Sequence, residues 1–165
     1  MRATSKCGRR CVLTGAAGAM LLGRAAKASD DIFPHQSLTA LHQAQLFGAT
    51  PARLYEVFTT TRAFEDATGL PASIDPRPGG QCSLFGGQVL ACNVELVQGK
   101  RLVQAWRASH WAPGVYSIVR FEFQPRGGNT LLTLDQAGFP AGAYDSLSIG
   151  WTIHYWGPLR VYLAP

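Results

Sequence analysis

Between residues 81 and 137 the chain reverses direction at short intervals, and each reversal carries a glycine. Gly86-Gly87, Gln98-Gly99-Lys100 and Arg126-Gly127-Gly128-Asn129 separate segments that alternate apolar and polar residues. Glycine reaches the backbone conformations that tight turns need, and period-two alternation marks strands with one buried face. The segments are 81–85, 89–97, 102–108, 115–124 and 130–137. No helix-length stretch lies between them, so the pattern predicts an antiparallel meander.

The flanking segments complete the order of elements. Residues 38–47 read as a first strand, and Gly48-Ala49-Thr50-Pro51 as a helix start. Thr50 can cap the exposed amides, and Pro51 is pre-shaped for the first helical position. Leu54, Val57 and Phe58 recur at helical spacing, and a second short helix is predicted over 61–68, ended by Gly69. A long helix is predicted over 143–163. Leu147, Trp151, His154, Tyr155, Pro158 and Leu159 fall on or near one side of it, and Pro158 marks the place for a kink. A sheet of this kind must bury one face, and the last helix is the only element large enough to cover it. The fold class is therefore α+β.

The first 28 residues have a different texture. A basic opening with Arg2, Lys6, Arg9 and Arg10 precedes an apolar run from Val12 to Gly23 and the small-residue pattern Ala26-Lys27-Ala28. That order is the grammar of a secretory signal. Arg9-Arg10 directly before a mildly hydrophobic run, and Arg24 and Lys27 near the cut site, point to the twin-arginine type. The alternative is an untranslocated basic tail. Residues 29–37 then read as a flexible leader and 38–165 as the domain, with a periplasmic or secreted address expected and a cytoplasmic one as the alternative. The apolar run is too short for a spanning helix, which needs roughly 20 residues, so no stable membrane anchor is expected.

Setting this segment aside changes the charge. The whole chain has 15 basic and 10 acidic residues and a net charge of +5. Six of the basic residues and none of the acidic ones lie in the first 28, which leaves nine against ten and a net charge of −1. A nucleic-acid reader needs a basic patch, and the remainder has no such cluster beyond Lys100-Arg101. No nucleic-acid partner is expected.

The domain resembles the START/SRPBCC superfamily, and within it the bacterial homologues of the activator of heat-shock protein 90 ATPase. The likeness begins at Ala49-Thr50-Pro51-Ala52-Arg53-Leu54-Tyr55-Glu56-Val57-Phe58 and Ile74-Asp75-Pro76-Arg77-Pro78-Gly79-Gly80. It continues through Glu95-Leu96-Val97, Arg101-Leu102-Val103-Gln104-Ala105-Trp106-Arg107, Thr130-Leu131-Leu132-Thr133-Leu134, Gly138-Phe139-Pro140 and Gly150-Trp151. The resemblance implies a helix-grip: a curved antiparallel sheet wrapped around the C-terminal helix, with two short helices after the first strand and a cavity between sheet and helix. Family members are mostly cytoplasmic. An exported chain would not meet a cytosolic chaperone, whereas a cytoplasmic one would leave the co-chaperone role open.

In such a cavity the residues of interest are those that alternation turns inward. Val119, Phe121 and Phe123 share one strand face, Leu132, Leu134 and Gln136 another, and Leu102, Gln104 and Trp106 a third. Buried amides are costly unless hydrogen-bonded, so Gln104 and Gln136 either meet backbone or line a wet pocket. Trp106, Trp151 and Tyr155 make an aromatic wall, either core or ligand platform. The segment Ser109-His110-Trp111-Ala112-Pro113-Gly114 is either a lid or a turn whose Trp111 covers the core rim. The expected ligand-binding set is Gln104, Trp106, Trp111, Phe121, Phe123, Gln136, Trp151 and Tyr155.

Patterns for catalysis are scarce. The histidines and carboxylates show no metal spacing, and neither a nucleophile elbow nor a phosphate-binding glycine loop occurs. No metal or cofactor is expected. His154 and Tyr155 are the first candidates for chemistry, because relatives of the fold include enzymes with pocket Tyr, His or Asp residues. Cys82 and Cys92 flank the Gly86-Gly87 reversal. A two-residue turn puts their thiols on opposite faces, whereas a three-residue turn sets them across from each other, within reach of a disulfide. Three functions compete: a binder of a small hydrophobic molecule, an enzyme acting on a hydrophobic or aromatic substrate, and a co-chaperone module.

Overall fold

A computed structural model describes residues 38–164. The expected signal (1–28) and leader (29–37) lie outside the described residues. Seven strands form one antiparallel sheet: β1 (Ala40–Phe47), β2 (Ser73–Ile74), β3 (Gln81–Leu84), β4 (Val89–Val97), β5 (Arg101–Ala108), β6 (Ser117–Arg126) and β7 (Asn129–Ala137). Their order across the sheet is β1-β7-β6-β5-β4-β3-β2. Helices α1 (Pro51–Thr59) and α2 (Thr61–Thr68) follow β1, and the C-terminal helix comprises α3 (Tyr144–Gly150), a π-helical stretch (Trp151–Trp156) and α4 (Gly157–Tyr162). The sheet is curved and the arrangement is the helix-grip.

Local chemistry sets the corners. The Thr50 hydroxyl accepts from Arg53 N at 3.3 Å with Pro51 in the first turn of α1. β6 and β7 turn through Gly127 and Gly128 alone, with φ of 55° and 88°, conformations that a side chain would strain. Gly80 is required for a different reason. A Cβ there would sit 2.2 Å from the Asp75 carbonyl oxygen, so only glycine lets the 75–80 loop fold back onto β4.

The alternation read in the sequence holds. Leu102, Gln104 and Trp106 on β5, Val119, Phe121 and Phe123 on β6, and Leu132, Leu134 and Gln136 on β7 are all buried. Across them lie Leu147, Trp151, Tyr155, Trp156 and Leu159 of the C-terminal helix. The outer face of the same strands carries ion pairs, including Arg101 with Glu95 and Arg120 with Asp135.

Three features go beyond the local sequence pattern. The two-residue strand β2 went unread, being too short to show a period. At Pro158, the place marked for a kink, the helix continues and the turns before it widen. Pro158 has no N–H to donate, and its ring would collide with the carbonyl four residues back in a regular helix. The widened stretch, in which Gly157 N bonds to Thr152 O five residues back, relieves this and turns Trp156 into the core. The disulfide does not form, and both cysteines are free. The reversal is a four-residue loop, Phe85 to Gln88, closed by Leu84 opposite Val89. That register sets Cys82 against Ala91 and Cys92 against Gln81, so the thiols leave opposite faces of the sheet.

Candidate functional site

A cavity of about 320 Å³ opens between the sheet and the C-terminal helix at the β3–β5 side. Its walls are aromatic and aliphatic: Trp106 from β5, Phe85 from the β3–β4 loop, Trp111 from the 109–114 loop, and Leu147, Trp151 and Tyr155 from the helix. The rings pack closely, Trp106 and Trp111 edge to face and the other two pairs tilted. Trp106 and Trp111 lie 5.4 Å apart, Trp106 and Trp151 5.6 Å, and Trp151 and Tyr155 4.2 Å. Gln88, Ser109, His110, Ser146 and His154 supply polar groups around this apolar body. No Lys, Arg, Asp or Glu lines it.

The 109–114 loop is tied in place. The Arg107 guanidinium donates to the carbonyls of Trp111 and Ala112, the latter at 3.3 Å, and lies over the Tyr116 ring. Ser109 N donates to Gln88 O at 2.8 Å, which joins this loop to the β3–β4 reversal. Trp111 is buried. On the other side Phe85 is the only non-glycine residue with positive φ among the described residues, at 55°. A buried aromatic in that region is strained and persists only where packing dictates it. The dictating contacts are edge-on rings of Phe64 at 5.1 Å and Tyr155 at 4.9 Å.

The two buried glutamines meet neither backbone nor a wet pocket but other side chains. Gln136 donates to Ser117 Oγ at 2.9 Å and accepts from Trp151 Nε1 at 2.7 Å. Gln104 donates to Asn93 Oδ1 at 2.9 Å, and Asn93 donates to the Asp75 carbonyl at 2.8 Å. Two cavity-wall residues do not: Trp106 Nε1 and Tyr155 Oη are buried without a hydrogen-bond partner. Burial pushes the Tyr155 hydroxyl far above its usual range, with the Trp106 N–H only partly opposing the shift, so the group stays neutral. Burial likewise pushes the Cys82 thiol up.

Of the expected set, Trp106, Trp111, Trp151 and Tyr155 come together on the cavity wall, with His154 exposed at its mouth. Phe121 and Phe123 pack instead against α1, through Phe58 at 4.6 and 5.9 Å. Gln104 and Gln136 lie outside the lining and serve the networks just described. Phe85, Gln88 and Ser146 line the cavity and went unread. A turn position conceals the first two, and no local pattern distinguishes Ser146 from a solvated helix residue. Asn93 is recoverable: it continues the inward series Val89, Ala91 as a polar residue and sits opposite Gln104.

A larger and more open hollow of about 750 Å³ lies between α1 and the 75–80 loop, lined by residues such as Arg53, Tyr55, Glu56, Pro76 and Pro78. Arg53 there is already engaged by Glu56 and Tyr162. The cavity between sheet and helix is the better site, because it is the less open of the two and its walls are largely apolar with a few polar groups. Among the described residues no group of three or more His, Cys, Asp or Glu side chains gathers to hold a metal, and no helix is long and apolar enough to cross a membrane.

The family model for Activator of Hsp90 ATPase homolog 1-like protein matches residues 48–164. The chain belongs to this family. It is 31% identical over 112 residues to "Activator of 90 kDa heat shock protein ATPase homolog 2" of Mus musculus, covering 68% of this chain and 34% of that protein. It is 30% identical over 116 residues to the human homolog 1, covering 70% and 34%. The chain thus spans about a third of the length of these relatives. An HSP90 activator from Plasmodium falciparum has a similar fold, with a TM-score of 0.72 and 24% identity over 76% of this chain and 96% of that one. CalU16 from Micromonospora echinospora gives a TM-score of 0.65 at 18% identity, covering 76% of each chain.

Proposed function

We propose that this AHSA1-family domain holds a small hydrophobic molecule in the cavity between its sheet and C-terminal helix, without transforming it. The observation that carries this reading is the cavity itself: about 320 Å³, walled by Trp106, Trp111, Trp151, Tyr155 and Phe85, with polar groups restricted to a few positions. Its size is at the lower end for small-molecule sites, and its lining has their usual character. The two candidates for chemistry support binding over catalysis. His154 is exposed at the mouth, and the Tyr155 hydroxyl is held neutral, so neither is a buried base near neutral pH. Native mass spectrometry of protein purified from its own host tests the reading. A stoichiometric small-molecule adduct, released on denaturation, is the expected result. Uniformly ligand-free protein that small aromatic compounds fail to stabilise against heat would overturn it.

The relatives' names favour a second reading, a domain that acts on a 90 kDa heat-shock protein ATPase. The shared segment is about a third of those proteins, so the reading extends to this chain only as a domain-level role. Stimulation of the host chaperone's ATPase by the purified domain would support it. The basic, apolar, small-residue order of residues 1–28 supports export and sets the two readings apart. A fusion of residues 1–37 to a reporter active only outside the cytoplasm tests the address, and a translocated reporter removes the chaperone reading.

A further inference from the structure

The lining of the cavity is divided by exposure. Its aromatic residues Phe85, Trp106, Trp111, Trp151 and Tyr155 are all buried. Its Gln, Ser and His residues, Gln88, Ser109, His110, Ser146 and His154, are all exposed. Leu70 alone among the aliphatic lining residues shares that rim. A dry interior under a polar collar suits a molecule with the same division, an apolar body that leaves water and a polar end that stays in it. Burial of the body supplies affinity, and a charged end at the rim keeps its hydration.

The collar's charge selects the kind of polar end. It contains no Asp or Glu, so no carboxylate there pairs with an ammonium or repels an anion. Two histidines reach it from separate elements, His110 from the 109–114 loop and His154 from the C-terminal helix. His42, the remaining described histidine, is already paired with Asp135 at 2.7 Å, whereas His110 and His154 have no hydrogen bond or ion pair among the described residues. An imidazole donates a hydrogen bond in its neutral form and adds a positive charge when protonated, so either form can serve a carboxylate. The interior limits the body. About 320 Å³ walled by the rings of Trp106, Trp111 and Trp151 suits a compact, flat ring system.

We propose that the cavity takes a compact aromatic acid, its ring buried among Trp106, Trp111 and Trp151 and its carboxylate at the exposed rim with His110 and His154. This rests on the binder reading above and adds a chemical class to it.

Probes that share one naphthalene body test it on the full chain: 2-naphthylacetate, 2-naphthylacetamide, 2-(2-naphthyl)ethylamine and 2-ethylnaphthalene. Equilibrium dialysis at pH 6, within the range where histidine side chains take up a proton, should give the acid a Kd about fivefold below that of the amide, the scale of an exposed charge contact. The amine should bind most weakly of the three polar probes. The double variant His110→Gln/His154→Gln, which changes two exposed side chains, should bring the acid level with the amide and leave the amide and the hydrocarbon as they were. Lengthening only the acid end, as in N-(2-naphthylacetyl)glycine, should change Kd by no more than about threefold, because that end lies in water. An acid that binds no tighter than the amide, an order unchanged in the double variant, or a glycine conjugate that no longer binds overturns the assignment of class. Binding of 2-ethylnaphthalene without the acid overturns it too and leaves the binder reading standing. Failure of every probe to bind wild type counts against both.

Discussion

Gln104 and Gln136 are buried on the same face of the same sheet, two strands apart, and their surroundings differ in completeness. Around Gln136 the amide takes the Trp151 N–H and gives to Ser117, and Ser117 gives in turn to the Trp106 carbonyl at 3.0 Å. Around Gln104 the amide reaches Asn93 and only grazes the Cys82 thiol at 4.0 Å. Beside it the Trp106 N–H and the Tyr155 hydroxyl have no partner. A complete buried network fixes how two elements dock, whereas an incomplete one leaves polar groups free to meet something else. The first end clamps the C-terminal helix to β7; the second borders the cavity. One fold therefore has a complete buried network at one end of its sheet and an incomplete one beside its cavity.

That contrast predicts an order of stabilities. Gln136→Leu strands the Trp151 N–H in the core and should cost about 3 kcal/mol, read from urea unfolding. Gln104→Leu should cost less, about 1–2 kcal/mol, because Asn93 keeps its bond to the Asp75 carbonyl. Equal losses would mean that the two ends do the same job. Tyr155→Phe should lie lowest of the three, within about 0.5 kcal/mol of wild type or slightly more stable, since it deletes a hydroxyl without a partner and keeps the ring contacts. A loss of 2 kcal/mol or more from this change would reveal a partner for the hydroxyl and erase the distinction.

How much of this was legible in the sequence follows from the range over which each feature is determined. Period-two alternation is local, so the inward placement of Gln104, Trp106, Phe121 and Gln136 could be read directly. What each inward amide would meet depends on cross-strand register and was left open. The register at Cys82 depended on whether Phe85 and Gln88 joined Gly86-Gly87 in the loop, and tertiary packing on Phe85 decided that. Trp156 was unread because regular helical spacing carries it away from Tyr155, and the π stretch that brings it inward answers to Pro158. The cavity itself is a gap between elements. Trp111, whose loop was read as either lid or rim, is settled as a buried wall by contacts from Arg107 that no local pattern encodes.

A small effect that depends on pH is expected one residue from the largest. β7 steps from Gln136, facing the helix, to Asp135, facing outward, where it meets Arg120 at 2.8 Å and His42 at 2.7 Å. Partial burial alone would raise the Asp135 carboxyl, but the hydrogen bonds from Arg120 and His42 outweigh it and hold the group below its usual value. A group lowered on folding contributes stability above its unfolded value of about 3.9, and the contribution fades as pH falls through the lower folded value. Arg120→Met should therefore match wild type near pH 2 and fall behind it as pH rises past about 4. With side chains 49% and 38% exposed, the deficit at pH 7 should stay within about 1 kcal/mol. Urea unfolding at the two pH values checks this. If the deficit at pH 7 reached that of Gln136→Leu, β7 would be held as firmly from its wet face as from its dry one. The difference between the two glutamines could then no longer be ascribed to the completeness of a buried network.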